Sequence, residues 1–269
     1  MASTIPDLLK QLRSGNHSSS PRLTWYGPGG ERIELSGRVL DNWVAKTANF
    51  LSEELDAERG TRIRLELPAH WKSAVVALAA WQVGAVLLAG SDQGPADITF
   101  IGPDGTHDAA PATGGESTGG EVTGTGVAGA RVAVALGALE MRFPGTLAAG
   151  TYDYAALVRQ FADSYEPFDP PVQEDEALRT GDNALTQADL LGRFATAEAD
   201  GARILVTAGQ GLIGAVARML GAWAAGGSVV LVHESVEETD TERIRAAEKT
   251  SPAEKISAAD KTSAAEEIS

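Results

Sequence analysis

The chain has 269 residues, 43% of them hydrophobic, and a formal net charge of −15 at pH 7. This acidic balance argues against nucleic acid as a partner, because phosphate backbones are bound by clustered lysine and arginine. The absence of cysteine excludes disulfides and thiolate chemistry, and it fits a reducing cytoplasm. The first residues, MASTIPDLLKQLR, have no apolar segment of the signal-peptide kind, so we expect a cytoplasmic protein.

Helices and strands alternate along most of the chain. Apolar residues at helical spacing predict helices, and β-branched or alternating runs predict strands. The expected helices cover residues 4–12, 37–60, 71–83, 152–161 and 186–199, and the expected strands cover residues 22–26, 31–35, 62–67, 85–89, 97–101 and 131–136. Ser36 and Thr186 are the expected N-caps of their helices. Residues 74–90 are uncharged but short for a membrane span, so we expect a buried helix and strand there, and no membrane partner.

Two segments differ from this pattern. Residues 102–130 consist mainly of Gly, Thr, Ala and Glu, and this composition predicts a flexible loop. Residues 166–176 are acidic and rich in proline, which is typical of a linker or a surface crossing.

Residues 203–232 read as strand, glycine turn, helix, glycine turn and strand, which predicts a βαβ unit in a parallel sheet. Its turn, GQGLIG, places Gly209, Gly211 and Gly214 in the spacing of a dinucleotide-binding loop, and Glu234 follows the second strand where a ribose-binding acid would lie. The alternative is that these glycines only form a tight turn and allow close packing of the helix on the strand.

The residues after this unit predict no globular structure. Four degenerate six-residue repeats, RAAEKT, SPAEKI, SAADKT and SAAEEI, cover residues 245–268. A period of six places their Thr and Ile residues on different sides of a helix, so no apolar stripe forms. We therefore predict a folded domain over residues 1–232 and a disordered acidic tail over residues 233–269.

Motifs that carry chemistry are missing. The sequence has no G-x-S-x-G elbow, no H-E-x-x-H helix and no G-x-x-x-x-G-K-[ST] phosphate loop. His17, His70, His107 and His233 stand singly, without a metal-ligand neighbour at helical or hairpin spacing. We therefore expect no catalytic residue, no metal site and no bound cofactor.

Residues 33–90 resemble the N-terminal region of the acyl-adenylate-forming enzymes, the acyl-CoA synthetase and luciferase-like superfamily. The similarity is carried by ANFL at 48–51, GTRI at 60–63, LP at 67–68 and AAWQVGA at 79–85. Residues 203–232 are similar to a later piece of the same domain. The resemblance implies a layered α/β fold with a mostly parallel sheet and helices on both faces.

The sequence departs from this superfamily where ATP would bind. The signature loop, Thr/Ser-Gly-Thr-Thr-Gly-x-Pro-Lys-Gly, should fall within residues 177–186, but its lysine and most of its glycines are absent. Thr180, Gly181 and Asp182 match the superfamily's ribose-binding Thr-Gly-Asp, although that motif belongs far downstream. The adenine-binding segment and the C-terminal domain with its catalytic lysine have no counterpart.

We therefore interpret the chain as a truncated AMP-binding-like domain, a pseudoenzyme without adenylating activity that has a binding or regulatory role. The expected partner is a protein or a small acyl or nucleotide ligand. Two alternatives remain open at this point, a nucleotide-binding enzyme domain of the G-x-G-x-x-G kind and an acyl or acyl-CoA binding module. The candidate cofactor-binding residues are Gly209, Gly211, Gly214, Thr180, Gly181 and Asp182.

Overall fold

A computed structural model describes residues 2–14, 18–89, 92, 94–103, 129–138, 140–194 and 200–251. The helices are α1 (Ile5–Arg13), α2 (Gly37–Asn49), α3 (Trp71–Val83), α4 (Tyr154–Leu157), α5 (Gln187–Phe194), α6 (Gly211–Ala224) and α7 (Glu238–Ala247). The strands are β1 (Pro21–Tyr26), β2 (Arg32–Ser36), β3 (Arg62–Glu66), β4 (Val86–Leu88), β5 (Ile98–Ile101), β6 (Ala130–Ala133), β7 (Thr151–Asp153), β8 (Glu176–Thr180), β9 (Asn183–Thr186), β10 (Arg203–Thr207) and β11 (Ser228–Val232).

These strands form two mostly parallel sheets. The first has four strands in the order β10-β11-β1-β2, and the second has seven in the order β7-β6-β5-β3-β4-β8-β9. Only β1–β2 in the first sheet and β8–β9 in the second pair antiparallel. The predicted fold class, an α/β protein with a mostly parallel sheet, is therefore confirmed.

Helix α3 is the central element of the core. Every residue from Trp71 to Val83 is buried, as its nearly uniform apolar sequence predicts. Trp81 Nε1 donates to the carbonyl oxygen of Ala177 at 2.7 Å, and Gln187 Nε2 donates to the carbonyl oxygen of Trp81 at 3.1 Å. One cluster of buried side chains includes α3 and residues of both sheets, so the two sheets share a core.

Most of the predicted elements that the structure describes are confirmed. The hairpin of β1 and β2, the cap of α2 and the βαβ unit of β10, α6 and β11 form where the sequence predicted them. Ser36 Oγ accepts a hydrogen bond from the backbone N–H of Val39 at 3.3 Å. The hydroxyl of Thr186 likewise accepts from the backbone N–H of Asp189 at 3.1 Å, which caps α5.

In the second half of the chain, two segments differ from the prediction. The expected helix over 152–161 starts later, because residues Thr151–Asp153 form β7 beside β6, and α4 is followed by a 3-10 turn over Val158–Gln160. The hairpin of β8 and β9 was not predicted. Most of the expected loop over 102–130, the end of the helix expected over 186–199 and residues 252–269 lie outside the described residues.

The predicted boundary of the folded domain at residue 232 is wrong, because residues 233–251 continue the fold. Helix α7 packs Ile244, together with Val236, against the outer face of the four-stranded sheet. After the helix, Glu248 accepts hydrogen bonds from Tyr26 Oη at 2.6 Å, Arg203 Nη2 at 2.6 Å and Arg32 Nη2 at 2.9 Å. These contacts depend on two apolar residues and one carboxylate, so helical periodicity does not reveal them.

Candidate functional site

A cleft of about 300 Å³ lies where the carboxyl ends of β3 and β4 meet the first turn of α6. We call it the carboxyl-edge cleft. In α/β proteins, ligands commonly bind at the carboxyl ends of parallel strands. The lining residues are Arg64, Leu65, Glu66, Leu67, Leu87, Leu88, Ala89, Leu212 and Ile213. Two of these residues, Arg64 and Glu66, are charged, and the other seven have apolar side chains.

The charged residue Arg64 is already bonded. Its Nη1 donates to the carbonyl oxygen of Asp92 at 2.7 Å, and its Nη2 donates to the carbonyl oxygen of Gly94 at 2.6 Å. Both terminal nitrogens of the guanidinium therefore bind backbone oxygens next to the cleft. This arrangement fixes the Arg64 stem along β3 and leaves fewer N–H groups for a bound anion.

The glycine turn after β10 borders the cleft through Leu212 and Ile213. Gly211 has φ 79° and ψ 168°, a conformation that L residues rarely adopt, so glycine is required there. Gly209 and Gly214 do not have positive φ. Gln210 Nε2 donates back to the carbonyl oxygen of Thr207 at 3.1 Å, and its Cγ would lie 3.5 Å from a Cβ added at Gly214. The turn thus needs one of its three glycines for backbone reasons.

Glu234 lies at the same sheet edge as this turn. Strands β10 and β11 are parallel neighbours in which Thr207 pairs with Val232, so the carboxyl ends of the two strands lie at the same edge of the sheet. Glu234 follows Val232 by two residues and is exposed. The local topology of a dinucleotide-binding unit is therefore present, although Glu234 does not line the carboxyl-edge cleft.

Thr180, Gly181 and Asp182 lie in a tight turn. Thr180 pairs with Asn183 in the antiparallel ladder of β8 and β9, and Gly181 takes φ 57° between them. The turn is at the carboxyl end of β8, next to β4, where the backbone N–H of Ala89 donates to the carbonyl oxygen of Arg179 at 2.9 Å. None of the three lines the carboxyl-edge cleft.

A polar group that the sequence did not single out lies at the start of α3. Lys72 is buried, and its Nζ donates to the carbonyl oxygens of Ala135 at 2.6 Å and Gly137 at 2.8 Å. Burial lowers the pKa of Lys72 to about 8. The only signal in the sequence was one lysine within an apolar helix. The lysine fixes the chain after β6 and does not reach the carboxyl-edge cleft.

His70 beside it is a structural acceptor. Its Nδ1 accepts from the backbone N–H of Lys72 at 3.1 Å, which caps α3, and its ring lies edge-on to Trp25 at 4.5 Å. Burial, with the nearby charges of Lys72 and His233, lowers the pKa of His70 to about 3. The imidazole is therefore neutral at physiological pH.

Within the described residues, no group of three or more His, Asp or Glu side chains is arranged to hold a metal ion. Among the helices of that same part of the chain, none is long and apolar enough to cross a bilayer.

Two curated proteins align with part of the sequence, and no protein-family profile matches it. A protein of Mycobacterium tuberculosis strain H37Rv is 36% identical over 155 residues, which are 55% of this chain and 56% of that protein. The mitochondrial acyl-coenzyme A synthetase ACSM3 of Pongo abelii is 32% identical over 81 residues, which are 30% of this chain and 14% of that protein.

Solved structures match nearly all of the chain. The Brucella canis acyl-CoA synthetase has a TM-score of 0.68 at 14% identity and covers 92% of this chain and 46% of its own. The acetoacetyl-CoA synthetase from Streptomyces lividans has a TM-score of 0.66 at 15% identity, over 90% of this chain and 40% of its own. The N-terminal domain of FACL13 from Mycobacterium tuberculosis has a TM-score of 0.60 at 14% identity, over 93% of this chain and 62% of its own.

These matches show that the chain has the fold of part of the N-terminal domain of adenylate-forming enzymes. The expected resemblance to that domain is confirmed. The chain spans about half the length of the acyl-CoA synthetase structures that it matches.

Proposed function

We propose that this chain is a non-adenylating counterpart of the adenylate-forming N-terminal domain, and that it binds the apolar part of an acyl group in the carboxyl-edge cleft. The fold supports a relationship to enzymes that act on acyl groups. Binding of an acyl group and chemistry on ATP depend on different residues of that fold, so the first can persist without the second.

The hairpin of β8 and β9 is the observation that carries the non-adenylating part. In a phosphate loop, glycine N–H groups free of secondary structure surround the phosphates, and a lysine adds a charge. Here the backbone of Arg179 and Thr180 pairs in register with Ala184 and Asn183. Asp182 adds a negative charge in the exposed turn, where a triphosphate would be repelled.

The composition of the cleft supports the acyl-binding part. Leucine side chains of β3 and β4 line it on one side, and Leu212 and Ile213 of α6 line it on the other. Transfer of a CH₂ group from water to such surroundings contributes about 0.8 kcal/mol. A volume of about 300 Å³ lies at the lower end of the range typical of small-molecule sites, about 300–1,000 Å³, so a short acyl chain fits best.

Titration of the protein with straight-chain fatty acids of increasing length tests this proposal. We expect affinity to rise with each CH₂ group and then to stop rising once the cleft is filled. Ile213→Asp should abolish binding, since it places a charge in the apolar lining. Val39→Asp is the matched control, because Val39 is exposed on α2, away from the cleft, and should leave binding unchanged. Equal affinity at all chain lengths, or binding that survives Ile213→Asp, would contradict the proposal.

A nucleotide at the start of α6 is the second candidate, because β10 and β11 are parallel neighbours with Glu234 at the end of β11. Titration with NAD(H), NADP(H), ATP and AMP separates it from the first. Gly209 has negative φ and open space around its Cβ position, so Gly209→Val should fold and yet block a phosphate. Nucleotide binding that this variant abolishes would favour the second candidate, and binding of acyl chains alone favours the first.

A further inference from the structure

A second, larger cavity lies at the opposite edge of the seven-stranded sheet, at the amino ends of β3, β4 and β8. Its volume is about 540 Å³, and we call it the amino-edge cavity. Its charged lining consists of three arginines and two acids, namely Arg59, Arg62, Arg179, Asp175 and Glu176. Neither the resemblance to adenylate-forming enzymes nor the carboxyl-edge cleft accounts for this concentration of guanidinium groups.

Two of the arginines are held by carboxylates. Arg59 contacts Asp169 at 3.1 Å through Nη1 and Asp175 at 2.8 Å through Nη2. Arg179 Nη2 contacts Glu176 at 2.6 Å and has four further N–H groups. These ion pairs fix the positions of both guanidinium groups at the cavity wall before any ligand binds.

The third arginine, Arg62, has no such carboxylate partner among the residues that the structure describes. Its backbone N–H donates to Asp97 Oδ2 at 2.8 Å, but within the described ranges no acceptor bonds to its guanidinium. A guanidinium has five N–H donors in a fixed planar arrangement that matches the two oxygens of a carboxylate. Arg62 therefore presents an unused bidentate donor at the cavity.

Two glycines belong to the lining of the cavity that Arg62 also lines. Gly60 and Gly84 have φ 85° and φ 84°, and the backbone N–H of Gly60 donates to the carbonyl oxygen of Gly84 at 2.9 Å. A Cβ added at Gly60 would meet no atom within 4 Å. The space next to Gly60 is thus free of side chains, the side chain of Arg59 lies against Gly84, and Val86 provides an apolar surface at the cavity wall.

We propose that the amino-edge cavity binds the carboxylate of a small organic acid, with Arg62 as the anchoring residue. Arg59 is paired with Asp169 and Asp175, and Arg179 is paired with Glu176, so Arg62 is the guanidinium of the lining that a single added carboxylate would pair with. A phosphate dianion would leave an excess negative charge beside two existing acids. The remaining volume accommodates an organic body against Val86. The site is independent of the proposed function, since it lies at the other edge of the sheet.

Titration of the intact chain with acetate, propionate, benzoate and inorganic phosphate, followed by NMR chemical shifts, tests the proposal. We expect saturable binding of benzoate at millimolar concentration or below, and weaker binding of phosphate. Arg62→Gln should lower the benzoate affinity by about tenfold or more, because it removes a charged bidentate contact. Arg62→Lys keeps the charge without the planar pair of donors, so its affinity for benzoate should lie between those of the wild type and Arg62→Gln.

Two control variants test whether the loss of benzoate binding is specific to the amino-edge cavity. Arg243→Gln removes an exposed arginine, paired with Asp240 on α7, and should leave binding unchanged. Ile213→Asp should also leave benzoate binding unchanged, which separates this cavity from the carboxyl-edge cleft. No saturable carboxylate binding, phosphate binding in its place, or equal affinities of wild type and a folded Arg62→Gln protein would overturn the proposal.

Discussion

Thr180 and Asn183 are register partners that close the hairpin of β8 and β9, with only Gly181 and Asp182 between them. Gly181 has φ 57°, a conformation that glycine adopts without strain. The segment in which the resemblance places a phosphate loop is therefore a closed turn on a paired strand. Binding of a triphosphate by this segment would require the pairing of β8 with β9 to break.

Glu248 is expected to attach the segment after β11 to the four-stranded sheet. Its carboxylate is largely buried and accepts hydrogen bonds from Tyr26, Arg203 and Arg32. Glu248→Gln should lower the free energy of unfolding by about 1–3 kcal/mol, the range for losing charged hydrogen bonds within a partly buried group. Urea unfolding measures this, and Asp240→Gln, which removes an exposed ion pair, is the control with an expected loss under about 0.5 kcal/mol.

Because of the same carboxylate, we expect the free energy of unfolding to depend on pH in the acidic range. Burial alone would raise the pKa of Glu248, but the hydrogen bonds from Tyr26, Arg203 and Arg32 lower it from 4.5 to about 2. A group with a lowered folded-state pKa stabilises the fold above its unfolded value and loses that effect as pH falls toward the folded value. The stability difference between wild type and Glu248→Gln should therefore shrink from pH 4.5 to pH 2. A difference that stays constant over this window would contradict the assignment.

Gly84 and Gly60 provide a matched pair for backbone strain. Both have positive φ, so alanine at either position should cost about 1–2 kcal/mol of stability. A Cβ at Gly84 would also lie 3.3 Å from the Cα of Arg59 and overlap its side chain, whereas a Cβ at Gly60 meets nothing within 4 Å. Chemical denaturation should thus show a greater loss for Gly84→Ala than for Gly60→Ala. Equal losses would show that the contact with Arg59 relaxes freely.

Because of Lys72, we expect the free energy of unfolding to depend on pH in the alkaline range. Burial lowers its pKa from 10.5 to about 8, against the opposing influence of Glu140 and Glu31. Between these values the unfolded chain retains the proton and the folded chain releases it, so stability rises with pH. The free energy of unfolding of the wild type, relative to that of Lys72→Met, should rise by about 1 kcal/mol per pH unit across this window. Thermal or urea unfolding at several pH values measures the difference, and parallel curves for the two proteins would contradict the prediction.

The sequence predicted those elements whose burial is nearly uniform or strictly periodic. Helix α3 and the unit of β10, α6 and β11 were located because their apolar residues follow each other closely in the chain. The hairpin of β8 and β9 was missed because its residues at 181–184 are exposed and carry no strand pattern. Pairing of β1 with β11 joins residues about 200 positions apart, and local patterns contain no information on such a partner.

The candidate site was predicted only in part, for a similar reason. The glycine turn was found from its spacing, and it borders the carboxyl-edge cleft. The apolar side chains of β3 and β4 that form the other wall look like ordinary core residues in the sequence. The attachment of Glu248 could not be predicted from local patterns, because its three donors, on β1, β2 and β10, lie 45 or more positions before it in the chain.

Exchange of labelled pyrophosphate into ATP, measured with the intact chain and a panel of carboxylic acids, tests the absence of adenylation most directly. An adenylating enzyme forms the acyl adenylate reversibly and incorporates the label. We expect incorporation no greater than in the absence of protein, with every acid, including those that bind the carboxyl-edge cleft. Acid-dependent exchange above that background, lost on substitution within residues 180–183, would show that the hairpin does hold ATP and would contradict the proposal.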